Sequence, residues 1–285
     1  MSDEIITHCY PDTTSRLFNI YNNVKYFSIK HASYFQVYEK LLGKYVGKNF
    51  TFVEVGVYHG GSLFMWREYF GPQARIIGID INPNTKKWEK EGFEIFIGDQ
   101  ADPEFWRSFF AQVGKIDVLL EDGGHTNLQQ ITTAVCAVDH INDGGLIFVE
   151  DLQTNYLKKF GNPSKYSFIN FTRRIIDSIN SRWNELTPYD NRFRNQVFCI
   201  EFFESIVALH IDRRRCFTNT IVPHPGTTEE FGYVKERHEL IAFLRKCYDK
   251  LRHHPRFRNL TQSIDNYRMH LSIKRQNFKA RKYFK

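Results

Sequence analysis

Acidic residues recur along this chain at the ends of short apolar runs. Asp80 follows 75–79, Asp99 follows 93–97, Asp122 follows 116–120, and Glu150-Asp151 follow 145–149. Acids at every one of these ends are too many for helix capping alone. Asp122 lies 28 and 29 residues before Glu150 and Asp151, a spacing that fits one helix and one strand. If the two runs are adjacent parallel strands, the three carboxylates sit side by side. Such a cluster repels itself, so it either binds a cation or holds protons. An all-oxygen site suits a hard ion such as Mg²⁺, completed by water and substrate oxygens. Strand geometry turns the neighbouring Glu121 to the opposite face. His125 lies three residues past Asp122, after two glycines that let the chain turn inward, and is a candidate general base. A lone histidine in the first turn of a helix would read as idle; the adjacent carboxylates favour a role. The other histidines, His253 and His254 among them, lack such neighbours and read as surface residues.

The first apolar run, 52–57, ends in a glycine turn, Tyr58-His59-Gly60-Gly61-Ser62. Gly56, Gly60 and Gly61 let the backbone approach a ligand, and Ser62 is expected to cap the following helix. The spacing G-x-x-x-G-G-S is not the G-x-G-x-x-G of a pyrophosphate cradle, so a nicotinamide dinucleotide is disfavoured. Asp80 stands 24 residues after Gly56, where a carboxylate accepts ribose hydroxyls. Asp99, one strand later, is placed to accept from an adenine amine. Together these describe a nucleoside site with no phosphate grip, which S-adenosylmethionine fits. Glu54, inside the first run, either meets the ammonium of that cofactor or buttresses the turn, since a buried carboxylate needs a partner.

The elements that must position these residues alternate. Apolar runs of strand length alternate with segments of helical spacing, as in 31–46, 63–70, 102–113 and 126–141. The runs are continuously apolar, which is the signature of a parallel sheet covered by helices on both faces. A helix is expected over 164–183, and 197–203 with 206–211 read as an antiparallel pair closing the sheet. Past Asp212 the pattern weakens, with helices expected near 236–252 and 261–282. The organisation expected is an N-terminal helical segment (1–50), an α/β domain (51–211) and a basic C-terminal extension (212–285).

Composition agrees with a folded enzyme. Of 285 residues, 42% are hydrophobic and 16% aromatic, enough for a core and against wholesale disorder. No apolar run approaches the ~18 residues of a membrane-spanning helix, and the N-terminus lacks the basic and apolar regions of a secretory signal. The cysteines, including Cys9, are scattered and form no CxxC, which disfavours a disulfide framework and a zinc knuckle and favours a reducing compartment. The net charge of +7 is uneven: the residues from Asp212 onward hold 18 basic and 7 acidic side chains, the first 211 hold 21 and 25. A mildly acidic body therefore carries a basic extension.

The runs VEVGVYHGGSLFMWREYFGPQARIIGIDINP, IGDQAD, LLEDGGHTNLQQ and NDGGLIFVEDLQTNY resemble the metal-dependent S-adenosylmethionine sugar O-methyltransferases. That group includes macrolide-sugar and surface-glycan methyltransferases. The resemblance covers roughly residues 30–211 in several ordered blocks. It implies a Rossmann-like class I methyltransferase sheet with the cofactor at the glycine turn. It implies Asp122, Glu150 and Asp151 as metal ligands, His125 as base and Asp80 as the ribose-binding acid. Gln100 shares the adenine side with Asp99. Lys30, His31 and Tyr34, before the first strand, and Tyr156, after the metal pair, are the acceptor-side candidates.

The function expected is methylation of a sugar hydroxyl of a surface glycan or glycoconjugate. The rival of the same chemistry is a metal-dependent methyltransferase of catechol-type phenols or other natural products. Nucleic acid is disfavoured, since no motif for base or ribose methylation is present, and a non-catalytic module is disfavoured by the intact acids. The basic extension admits a solvated helix, contact with an anionic membrane, or docking on a glycosyltransferase or a second subunit. A cytoplasmic location, with the extension at the inner membrane face, is the corresponding expectation.

Overall fold

Each apolar run read from the sequence forms a strand. β1 (Thr51–Val55), β2 (Arg75–Asp80), β3 (Glu94–Ile97), β4 (Ile116–Glu121) and β5 (Ile141–Val149) pair in parallel. β6 (Val197–Phe203) and β7 (Ile206–Ile211) add the antiparallel pair, β7 lying against β5. The sheet order is β3-β2-β1-β4-β5-β7-β6. This computed structural model describes residues 14–184, 186, 192–226, 247–248, 250 and 257–280. The strand order reverses between β1 and β4, and such a switch point opens a crevice at the carboxyl ends of the strands.

The strands are apolar throughout because both faces are covered. Phe52, Val118, Leu120, Leu146 and Phe148 face one core layer with α1 (Arg16–Asn23), α2 (Tyr34–Leu42) and α3 (Gly61–Phe70). Val53, Val55, Leu119, Ile147 and Val149 face the other with α4 (Pro103–Val113), α5 (Asn127–Ala137) and α6 (Phe168–Asn180). Burying each such side chain contributes about 1.5–3 kcal/mol. Aromatic rings thicken the first layer: Trp66 of α3 lies 5.1 Å from Phe52 and 5.0 Å from Tyr38.

The helix starts follow local chemistry. The Asp102 carboxylate accepts from the Glu104 amide with Pro103 in the first turn, as expected. Thr126 and Gln129 form a reciprocal capping box. Ser62 does not cap α3. That position is taken by Gly60 at φ 88°, and the Ser62 hydroxyl turns inward to Glu54. The segment expected as one helix over 31–46 is shorter, Tyr34–Leu42 followed by a 3₁₀ turn at Gly43–Tyr45. The helix expected over 126–141 likewise gives way after Ala137 to a 3₁₀ turn and β5.

Two compact units are present, Met1–Val222 and Pro223–Lys285. The whole sheet lies in the first. In the second, α7 (Arg258–Ala280) begins three residues before the expected 261. Most of the helix expected over 236–252 lies outside the described residues, as do positions 281–282, Cys9, His253 and His254. No helix among the described residues is long and apolar enough to cross a membrane.

Candidate functional site

A cleft of about 700 Å³ opens at the switch point, within the size range of small-molecule sites. One wall is the turn after β1. Gly56 sits at φ 96°, and a Cβ there would lie 2.0 Å from the Asp122 carbonyl oxygen, so the close approach of the chains leaving β1 and β4 at this point requires glycine. A Cβ on Gly60 would strike Trp88 at 2.4 Å. The Gly61 amide donates to the Phe27 carbonyl at 3.3 Å, tying a strap of residues 24–33 across the turn. Phe27, Ser28 and Ile29 of that strap line the cleft. Asp80 Oδ2 accepts from the Val57 and Tyr58 amides, both at 2.9 Å, and Oδ1 accepts from Asn82 at 2.8 Å. Asp99 lines the same wall, its Oδ1 taking the Ala101 amide.

Two of the expected cofactor residues turn out to support that wall from behind. Glu54 is fully buried and accepts from the Ser62 hydroxyl at 2.7 Å and Trp66 Nε1 at 3.0 Å. It buttresses the turn, one of its two anticipated roles, and burial pushes its carboxyl up to about 7. Gln100 donates from Nε2 to Glu121 Oε1 at 2.5 Å and accepts the Gly124 amide on Oε1 at 3.0 Å. Its side chain touches the cleft but is engaged in holding the 121–124 turn. Glu121 does face away from Asp122, and burial pushes its carboxyl up to about 8.

The other wall is acidic, and parallel pairing of β4 with β5 puts Asp122 beside Glu150 and Asp151 as expected. Lys30, expected on the acceptor side, is turned instead toward these carboxylates. Lys30, its side chain only 1% exposed, places Nζ 2.5 Å from Asp122 Oδ2, 2.9 Å from Glu150 Oε2 and 3.9 Å from Glu54 Oε1. Burial opposes its charge, yet the three carboxylates hold its pKa above the ordinary lysine value. Burial likewise raises Asp122 and Glu150, against the pull of Lys30. Asp151 differs: burial works to raise it, but hydrogen bonding from the Tyr34 hydroxyl at 2.7 Å and the nearby His125 hold it below its usual value. Tyr34 is therefore a buried clamp on Asp151, and its hydroxyl also accepts the Asp151 amide at 3.1 Å.

Ligand atoms of Asp122, His125 and Asp151 all lie within 4.8 Å of one another. His125 Nε2 is 3.4 Å from Asp151 Oδ2. Glu150 lies one layer deeper, fully buried, with Oε2 on Lys30. His125 Nδ1 and Glu150 Oε1 are buried polar atoms with no hydrogen-bond partner. Converging oxygen and nitrogen donors with such orphaned atoms among them fit a hard divalent cation. His31, half-exposed, reaches Asp151 Oδ1 at 3.4 Å and Gln153 at 3.2 Å. Among the described residues, three of the four non-glycine residues with positive φ, namely Tyr58, His125 and Asp151, line this cleft. Backbone strain of this kind gathers at functional sites.

Tyr156 is not in the cleft. It lines a neighbouring groove of about 470 Å³ with Leu152, Gln153, Arg173, Phe202 and Glu204. Neither Tyr38 beside Glu150 nor this groove was legible in sequence, since each depends on contacts far apart in the chain.

Residues 53–152 match a family described as a methyltransferase domain. A 2′-O-methyltransferase of 8-demethyl-8-α-L-rhamnosyl tetracenomycin C from Streptomyces olivaceus is 30% identical over 52% of this chain and 41% of its own. Mycinamicin VI 2″-O-methyltransferase from Micromonospora griseorubida is 28% identical over 68% of this chain and 48% of its own. L-olivosyl-oleandolide 3-O-methyltransferase from Streptomyces antibioticus is 33% identical over 60% and 45%. The chain thus spans less than half the length of these relatives. Among solved structures, the MycE methyltransferase of mycinamycin biosynthesis, in complex with Mg and SAH, superposes with a TM-score of 0.62 at 24% identity, over 72% of this chain and 56% of that one.

Proposed function

Since the chain carries a class I methyltransferase domain whose homologues are sugar O-methyltransferases, we propose that it methylates a sugar hydroxyl, with S-adenosylmethionine as donor and Mg²⁺ or a similar hard cation as cofactor. One observation carries the reading: a single cleft holds the glycine turn, Asp80 and Asp99 on one wall and the Asp122 and Asp151 carboxylates with His125 beside them on the other. The names of the relatives place their own methyl groups on sugar hydroxyls, and the MycE structure holds Mg and SAH.

Bound S-adenosylmethionine supplies the electrophilic methyl group, and a bound divalent ion acidifies the hydroxyls it holds. The chain's own residues do the rest. Asp80 and Asp99 would accept hydrogen bonds from the ribose and adenine of the cofactor, beside the turn that Gly56, Gly60 and Gly61 allow. Asp122, Glu150 and Asp151 would supply the carboxylates that hold the ion. His125 takes the hydroxyl proton on Nε2, and Asp151 stabilises the charged ring that results. Holding donor and acceptor in line supplies the proximity contribution. The strap over 24–33 and the half-exposed His31 border the acceptor side.

The acceptor we favour is a glycoconjugate or surface glycan. The open groove past Asp151, with Tyr156 and Phe202 as aromatic faces for sugar rings and Arg173 and Glu204 as polar contacts, supports an acceptor larger than one sugar. The basic residues of 223–285 support contact with an anionic membrane or a glycosyltransferase at a cytoplasmic surface, where such acceptors are assembled.

The test is methyl transfer in the presence of MgCl₂ to panels of glycosides, catechols and RNA, followed by mass spectrometry. Transfer to a sugar hydroxyl is expected, abolished by EDTA. Transfer confined to catechols or RNA would overturn the acceptor assignment, and activity indifferent to EDTA would overturn the metal.

A further inference from the structure

The segment that walls the groove beside the cleft is basic within an acidic body. Between Leu152 and Ile176 the chain carries Lys158, Lys159, Lys165, Arg173 and Arg174 and no Asp or Glu, although the first 211 residues hold 21 basic and 25 acidic side chains. Among the described residues, Lys158, Lys159, Lys165 and Arg173 pair with no carboxylate. Lys159 and Lys165 instead lie over neighbouring rings, 5.2 Å from the centroid of Phe160 and 4.9 Å from that of Tyr166. Arg173, exposed on α6, lines the groove itself. Two exposed rings line it as well, Tyr156 and Phe202. Gln153 is a further lining residue, and its Oε1 is buried with no hydrogen-bond partner. Groove and cleft meet along the chain, since Asp151 lines one and Leu152 the other. The Leu152 amide donates to the Ser205 carbonyl at 3.0 Å, which fastens the groove to the β6–β7 turn that carries Glu204.

We propose that the groove is a second acceptor subsite that selects a carboxylate-bearing sugar, a uronic acid linked to the sugar that is methylated. This rests on the sugar-acceptor reading above and deepens it. Tyr156 and Phe202 offer flat apolar faces to the C–H side of a pyranose ring. Arg173 presents a planar guanidinium that matches a carboxylate through two parallel hydrogen bonds. Gln153 Oε1 and Glu204 accept from ring hydroxyls. Glu204 also decides between anions: a carboxylate brings one negative charge beside it, whereas a phosphate monoester brings about 1.5–2. The unpaired lysines draw an anionic chain toward the opening. A subsite for a neutral sugar would need the rings and hydroxyl acceptors alone, and would leave Arg173 and the acid-free segment without a task.

The test is equilibrium binding by the full chain, with S-adenosylhomocysteine present and EDTA added so that no divalent ion draws the carboxylate. The probes are digalacturonate, maltose and maltose 1-phosphate, three disaccharides titrated by saturation-transfer NMR. Digalacturonate should bind at least about tenfold more tightly than either of the others, the contribution of one hydrogen-bonded contact to a charged group. Arg173→Gln should reduce that preference by about fivefold or more. Tyr156→Ala should weaken digalacturonate and maltose alike by about fivefold, since it removes apolar contact and no charge. Both side chains are exposed, so Tm should stay at the wild-type value. Equal binding of digalacturonate and maltose would overturn the proposal, as would a preference that Arg173→Gln leaves intact or binding of none of the probes. Tighter binding of maltose 1-phosphate would overturn the carboxylate assignment. The methyl-transfer panel reports separately on the reading beneath it. Transfer to sugars with no uronate preference in binding removes the subsite alone. Uronate binding with no transfer to any sugar removes the acceptor reading and leaves a uronate-binding groove.

Discussion

His125 and Asp80 show how differently two residues of one cleft are used. His125 is held by little: its Nδ1 has no partner and its Nε2 only faces Asp151 at 3.4 Å. His125→Ala should therefore fold and bind S-adenosylmethionine normally, while turnover drops about 10²–10⁴-fold, the usual contribution of a positioned base. Calorimetry and a single-turnover assay separate the two effects, and wild-type turnover would remove the base assignment. Asp80 is tied to three backbone amides. Asp80→Ala should weaken cofactor binding about 10–100-fold, since hydrogen bonds to a charged group are worth about 1.5–3 kcal/mol. Its loss also loosens the glycine turn, so a fall in Tm should accompany the loss of affinity. An Asp80→Ala variant with unaltered affinity would exclude it from the cofactor site.

At the scale of elements, the wall formed by β1, α3 and the glycine turn is locked from beneath by Glu54. In the folded chain its carboxyl is raised by burial to about 7 from an ordinary 4.5. Between those values the folded state binds more protons than the unfolded one, so this group's contribution to stability falls as pH rises through the window from about 4.5 to 7. Glu54→Gln should flatten that slope in urea unfolding measured from pH 5 to 8. It should also cost about 1–3 kcal/mol at pH 5, because one of the two donors, Ser62 or Trp66, meets an amide instead of an acceptor. A pH slope identical to wild type would show that Glu54 does not carry this ionisation. The elements themselves were legible in sequence because continuous apolar runs and helical spacing are local signals. So was the meeting of Asp122 with Glu150-Asp151, which follows from two parallel strands one crossover apart. Ser62 was misread because a serine before an apolar period looks like a cap. Its hydroxyl found Glu54 eight residues back, and Gly60 took the cap by virtue of a positive φ that serine rarely adopts. Lys30 was legible as a residue near the site but not as a partner of Glu150, 120 positions away. No periodicity reports a contact of that range. The third outcome for a carboxylate cluster, a buried ammonium among the acids, appears only once the chain is folded.

For the whole molecule, charge and architecture are separated along the chain. The unit ending at Val222 holds the sheet and the cleft, whereas the residues past Asp212 carry the positive excess. The proposed division of labour makes a direct prediction. A chain ending at Val222 should keep methyl transfer to a small soluble glycoside within about threefold. It should lose salt-sensitive binding to vesicles containing anionic lipid, a binding expected to weaken steeply as salt screens the basic residues. Co-sedimentation at two salt concentrations measures it, and equal binding by the shortened chain would assign the basic unit another task.

The left-handed backbone at Tyr58, His125 and Asp151 carries a consequence for evolution and for engineering. Each of these residues sits where glycine would rest more easily, at an expense of about 1–3 kcal/mol per position. Substitutions selected purely for thermal endurance should accumulate at these three places, with Gly or Asn displacing the native side chains, and the hardened proteins should be inert. A stability screen blind to activity would therefore trace the outline of the cleft.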